Sequence, residues 1–124
     1  MKNKLRYMTL SIRRLVAGLF AFVVTLHMIL PAYALPGSYT VENGNVTAEQ
    51  LDANSVRFNV DSDQAILNFD RFDIAPAETV DFRFSNPNNI SSVLNRVSGG
   101  QLSLIGGTLL SNGQVLLINP AGIH

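Results

Sequence analysis

The sequence predicts an all-β domain carried behind a removable leader, and two observations predict it. Apolar runs of strand length recur between turn signals spaced mostly 8 to 14 residues apart. Ahead of them lies a basic stretch, an uncharged apolar run and a pair of small residues, the layout of an export signal. The formal net charge of +0 hides this division. Lys2, Lys4, Arg6, Arg13 and Arg14 stand at the front with no acid among them, whereas Arg57, Arg71, Arg83 and Arg96 face all nine acids. The front is therefore +5 and the remainder −5.

The first element is the leader. Leu15 to Leu30 is a run of 16 residues without charge, followed by Pro31 and by Ala32 and Ala34 in A-x-A spacing. The run falls short of the roughly 20 residues that a spanning helix needs. It fits a signal-peptide helix whose cations stay inside while the small side chains enter a peptidase in extended form. We place cleavage between Ala34 and Leu35. This gives a signal peptide over 1–34 and a mature segment over 35–124.

The mature segment then reads as short strands. Thr47 to Asn54, with Ala48, Glu49, Gln50 and Leu51, has helical composition, and no more than a turn is expected there. Val56, Phe58 and Val60 alternate with Arg57 and Asn59, and Val80, Phe82 and Phe84 alternate with Asp81 and Arg83. Each set puts an apolar face inward and a polar face outward. Val93 to Val97, Leu102 to Leu110 and Val115 to Ile118 have the length and apolarity of buried strands. Gly106-Gly107 interrupts the middle run, so a bulge, a corner or two strands are expected. Eleven asparagines in the mature segment fall mostly at turns, where Asn tolerates left-handed backbone and bonds its own main chain. Short strands with Asn and Gly corners fit a coiling solenoid, and a sandwich or barrel fits the same pattern.

Composition excludes several chemistries. The chain has no cysteine, so disulfides, thiolate zinc sites and a thiol nucleophile are absent. His27 lies in the leader and His124 is the last residue, which leaves no base for a Ser-His-Asp triad and no two-histidine metal site. The four mature arginines are scattered among acids and form no stripe that tracks phosphates, so no nucleic-acid partner is expected. Asp61-x-Asp63 lacks the continuation of a calcium loop. Asp70 and Asp73 could be paired as glycosidase carboxylates only if a pocket joined them. Asn45-Val46-Thr47 and Asn89-Ile90-Ser91 match the glycosylation sequon, which matters only in a host with that machinery. No enzyme, cofactor or metal is expected.

Three segments carry a more specific signal: AILNFDRFDIAPAETVDF from Ala65, SSVLNRVSGG from Ser91 and GTLLSNGQVLLINPAGI from Gly107. Together they resemble the N-terminal domain of two-partner-secretion exoproteins, the filamentous-haemagglutinin-like adhesins of Gram-negative bacteria, also called the haemagglutination activity domain. The family pattern N-W-x-x-F-x-I is met by Asn68-Phe69, Phe72 and Ile74, with Phe69 in place of Trp. E-x-V-x-F is met by Glu78, Val80 and Phe82, and V-L-N-R-V by Val93 to Val97, including Asn95 and Arg96. The closing pattern G-x-L-x-x-N-G-Q-V-x-L-I-N-P-N-G-I is met by Gly107, Leu109, Asn112, Gly113, Gln114, Val115, Leu117, Ile118, Asn119, Pro120, Gly122 and Ile123. Ala121 stands where the family has its second Asn.

By resemblance, the fold is a right-handed parallel β-helix, the start of a solenoid with an N-terminal β cap. By resemblance too, the chain leaves the cytoplasm through the Sec translocon and signal peptidase removes its leader. POTRA domains of an outer-membrane β-barrel transporter then recognise it and pass it to the cell surface or medium. Asn95, Arg96, Asn112, Gly113, Asn119, Pro120, Gly122 and Ile123 are expected to build corners and coil-to-coil joints, or to be read by the transporter. Asn112-Gly113 is expected to take positive φ at a tight turn, and Arg96 to bond a carbonyl or an acid. Family domains run past the last motif, so residues 35–124 are expected to be a truncated N-terminal portion, weakly folded alone. A free-standing exported β protein that binds glycan or a cell surface is the alternative. A carbohydrate-active enzyme is disfavoured by the missing histidine and the missing acidic cleft.

Overall fold

The computed structural model describes residues 35–124, so the leader lies outside the described residues. Eight strands form two four-stranded sheets. They are β1 (Tyr39–Asn43), β2 (Val46–Asp52), β3 (Ser55–Val60), β4 (Gln64–Phe69), β5 (Thr79–Phe84), β6 (Ser92–Val97), β7 (Thr108–Ser111) and β8 (Gln114–Ile118). One sheet has the order β1-β4-β6-β8 and the other β2-β3-β5-β7. From β3 onward the chain alternates between the sheets, and each return pairs in parallel with the strand laid down before it. A third side is made by short parallel bridges, Ile74 to Ile105 and Ser103 to Ile123. The described residues thus stack three successive turns of chain, here called coils.

The first two strands run the other way. β1 pairs antiparallel with β4 and β2 with β3, which covers the first coil from above. Thr47 to Asn54 is accordingly not a helical turn: β2 takes most of it, and Ala53-Asn54 turns into β3. The ladder Val46–Val60, Ala48–Phe58 and Gln50–Val56 fixes this segment extended. Partner strands override helix propensity when a ready edge is available. Asp52 accepts the Asn54 N–H at 2.8 Å, which closes the turn.

The alternating strands behave as their pattern predicts. Phe58, Val60, Val80, Phe82 and Phe84 are buried, as are Ala65, Leu67 and Phe69 of β4. The two sheets meet through aromatic rings. Phe58 stacks on Phe82 at 5.0 Å between centroids, and Phe69 meets Phe58 edge-on at 5.8 Å and Phe72 at 5.1 Å. Edge-on and offset pairs of this kind add to the burial of the rings themselves.

The run from Leu102 to Leu110 departs from its expectation. Only Thr108 onward is strand, and Leu102, Leu104, Leu109 and Leu110 are exposed. Gly106-Gly107 is the expected corner. Both N–H groups donate to the Ile74 carbonyl, and a Cβ on Gly107 would stand 2.2 Å from the Ala75 carbonyl oxygen. No side chain fits that approach. β8 alternates instead of burying throughout: Val115 and Leu117 are half-buried, and Leu116 and Ile118 face out.

Candidate functional site

The motif residues do not converge on one pocket. They occupy the joints between coils, and each joint uses a different chemistry. Ala34 lies outside the described residues; Leu35, its neighbour, packs against the core and points its main-chain nitrogen at Glu78.

Asn112 acts as a substitute peptide. β7 stops at Ser111, and the Asn112 carboxamide continues the ladder, accepting the Phe84 N–H at 2.8 Å and donating to the Phe84 carbonyl at 3.0 Å. An amide side chain supplies both a donor and an acceptor, as a backbone unit does. Gly113 follows because the Phe84 ring lies over it, and a Cβ there would stand 2.5 Å from Cε2. The expected positive φ at Asn112-Gly113 is therefore corrected. Neither residue has it, and the glycine answers a close approach instead.

Asn119 to Gly122 is a β-turn in which Gly122 N–H donates to the Asn119 carbonyl at 3.0 Å. Pro120 occupies the second position and Gly122 leaves the turn at φ 110°. The Asn119 side chain accepts the Ala121 N–H and donates back to the previous coil, at Gln101 O (2.8 Å) and Ser103 Oγ (2.9 Å). Residue 121 contributes only its main chain to these bonds, which is why alanine serves there. Ile123 then bridges to Ser103.

Asn95 is fully buried at an inward position, between Leu67 and Leu117 in the parallel ladder. It donates to the Leu116 carbonyl at 3.1 Å, and its Oδ1 has no partner. Arg96 points outward and reaches the Glu42 carboxylate at 3.1 Å, across β4. Asn68 of the intervening strand donates to the same oxygen at 2.9 Å. The acid expected for Arg96 thus belongs to the cap strand.

Other joints gave weaker signals in sequence. Asn88 donates to Asp63 at 2.7 Å and accepts the Ile90 N–H. Asp63, half of the Asp61-x-Asp63 pair, is therefore engaged in a corner, and no cluster of metal ligands occurs among the described residues. Asp73 is held by Arg71 at 3.4 Å and by the Leu104 N–H at 2.8 Å. Asp81 faces out as its alternation requires, yet it is buried beneath Arg57 and Arg83, at 3.1 and 2.9 Å. Arg57 is its ladder partner on β3 and Arg83 lies two residues along β5, and only that placement could have signalled the burial.

The model of the TPS secretion domain family matches residues 32–124. The chain belongs to that family. The TPS domain is 42% identical to the crystal structure of the HMW1 secretion domain from Haemophilus influenzae, with a TM-score of 0.64 over 71% of this chain and 23% of that one. It is also similar to a heme/hemopexin-binding protein of Haemophilus influenzae, 39% identical over 80 residues. A second such protein, from strain Rd, is 39% identical over 57 residues. These matches span 64% and 46% of this chain but only 8% and 6% of the two relatives. The chain is thus a secretion-domain segment of the kind found in two-partner-secreted exoproteins.

Proposed function

We propose that residues 35–124 open a right-handed parallel β-helix that directs a larger exoprotein out of a Gram-negative cell. In this reading Sec translocates the chain, signal peptidase cuts between Ala34 and Leu35, and POTRA domains of an outer-membrane barrel take up the TPS domain in the periplasm. The barrel then delivers the exoprotein to the cell surface or medium. The observation that carries the reading is the parallel stacking of coils locked by Asn112 and Asn119, two residues of the secretion-domain motif. Those residues hold coil to coil, which suits a targeting module.

The test fuses a reporter after His124 of the full chain and expresses it with and without the POTRA-bearing barrel from the same genome. Reporter outside the cell only when the barrel is present is the expected result. Release without the barrel, or retention with it, would overturn the reading. Amino-terminal sequencing of the exported product is expected to begin at Leu35.

A further inference from the structure

Glu78 is a buried carboxylate that closes the Ala75–Glu78 turn and has no cation beside it among the described residues. It is 3% exposed and immediately precedes β5. Its Oε1 accepts the Ala75 N–H at 2.8 Å. Its Oε2 faces the main-chain nitrogen of Leu35 at 3.3 Å, and none of the ion pairs among the described residues includes it. A buried carboxylate with no cation is costly, because its lost hydration is repaid only by a close counter-charge and full hydrogen bonding. The two neutral amides, Ala75 at 2.8 Å and Leu35 at 3.3 Å, supply hydrogen bonds but no counter-charge.

Leu35 is held where it stands. Its side chain packs against the core, and the following residues bond along the Asp70-Arg71 segment, through Gly37 N–H to Arg71 O at 3.0 Å and Asp70 N–H to Ser38 O at 3.3 Å. The nitrogen aimed at Glu78 belongs to the residue after the cleavage site. Hydrolysis of the Ala34–Leu35 bond adds water, leaves a carboxylate on Ala34 and frees an amine on Leu35. That amine binds a proton at neutral pH, since α-amino groups titrate at about 7.7–8.0.

We propose that the α-ammonium of Leu35, created by leader removal, is the counter-ion of Glu78, so that processing completes the buried site. The proposal rests on cleavage after Ala34. Before the cut, the nitrogen is an amide with one proton and no charge. Afterwards it has three protons and a positive charge, and the same approach becomes a charge-assisted bond. The precursor therefore lacks one stabilising interaction that the mature domain has, and full stability arrives only once the leader is gone.

The mature segment contains no lysine, so the Leu35 α-amine is its sole primary amine. The full chain is expressed with its leader, and the processed product is sequenced and treated with an amine-acylating reagent, followed by intact mass. Acylation in native buffer is expected to be at least about tenfold slower than in urea, as for a group released only by opening of the fold. In Glu78→Gln it should return close to the urea rate. A companion chain that retains Ala34 keeps Glu78 but moves the amine one residue outward. It should acylate at the urea rate and unfold at lower urea than the processed chain, which decides the matter even where Glu78→Gln does not fold. Equal native and urea rates in a product that begins at Leu35, or identical behaviour of the Ala34-retaining chain, would overturn the ion pair and leave the leader reading intact. A product that begins elsewhere overturns both.

Discussion

The first and last coils among the described residues are built from the same ladders and differ in what lies over them in this chain. At the capped end, β1 and β2 lie antiparallel over the first coil, and Tyr39 packs edge-on against Phe58 at 5.3 Å. At the other end, β7 and β8 form the last coil among the described residues. One ladder position shows the consequence: Val56, Val80 and Leu109 stand in register, and their exposures are 9%, 0% and 37%. The residues are chemically alike. Burial here is decided by the neighbours on either side in the stack, and hydrophobicity only qualifies a residue for it. In a stack of this kind each layer contacts its immediate neighbours alone.

The sharpest way to break the capped end is Phe58→Ala. Its ring touches Tyr39, Phe69 and Phe82, so the substitution removes the contact between cap, sheets and second coil. A loss of about 3–5 kcal/mol is expected for a buried phenylalanine, read from the urea midpoint of the processed chain. Asn112→Ala comes next. It leaves the Phe84 N–H and carbonyl without their partner and should cost about 1–3 kcal/mol, with faster amide exchange confined to β7 and β8. Leu117→Ala tests the last described coil directly. Its side chain is half-buried, so a loss of about 1 kcal/mol is expected, well below the figure for a sealed leucine. A loss as large as that of Phe58→Ala would abolish the contrast between the ends. Arg96→Gln is the mildest. The Arg96–Glu42 pair is exposed by more than two-fifths on both sides, so an effect of at most about 0.5 kcal/mol is expected, vanishing in high salt.

Much of the core was legible because period-two alternation reports directly on which face is sealed. Phe58, Phe82 and Phe84 needed nothing more. β2 was hidden because only Val46 of its seven residues is buried, so its extended form comes from pairing with β3 and leaves no apolar trace. The exposure of Leu109 and Leu110 was hidden for the opposite reason, since an apolar run does not announce that its layer is the last among the described residues. For the joints, the motif marked Asn112 and Asn119 as special, but what they grip lies on the preceding coil. Asn112 holds Phe84 and Asn119 holds Ser103, pairings that no local spacing reveals. Asn95 was marked too, although its inward direction depends on the register with Leu67 and Leu117.

The corners also explain why no fixed period is visible along this chain. Thr79 sits on Ser55, twenty-four residues before it, and Thr108 sits on Thr79 across twenty-nine. In the other sheet the steps from Gln64 to Ser92 and from Ser92 to Gln114 are twenty-eight and twenty-two. Strand register is kept while the loops absorb the slack, so the repeat exists in space and has no constant wavelength in sequence. Corners such as Asn86 to Asn89 take up these differences in length while the ladders on either side stay in register. The architecture resides in the alignment between layers and not in a fixed chain length between them.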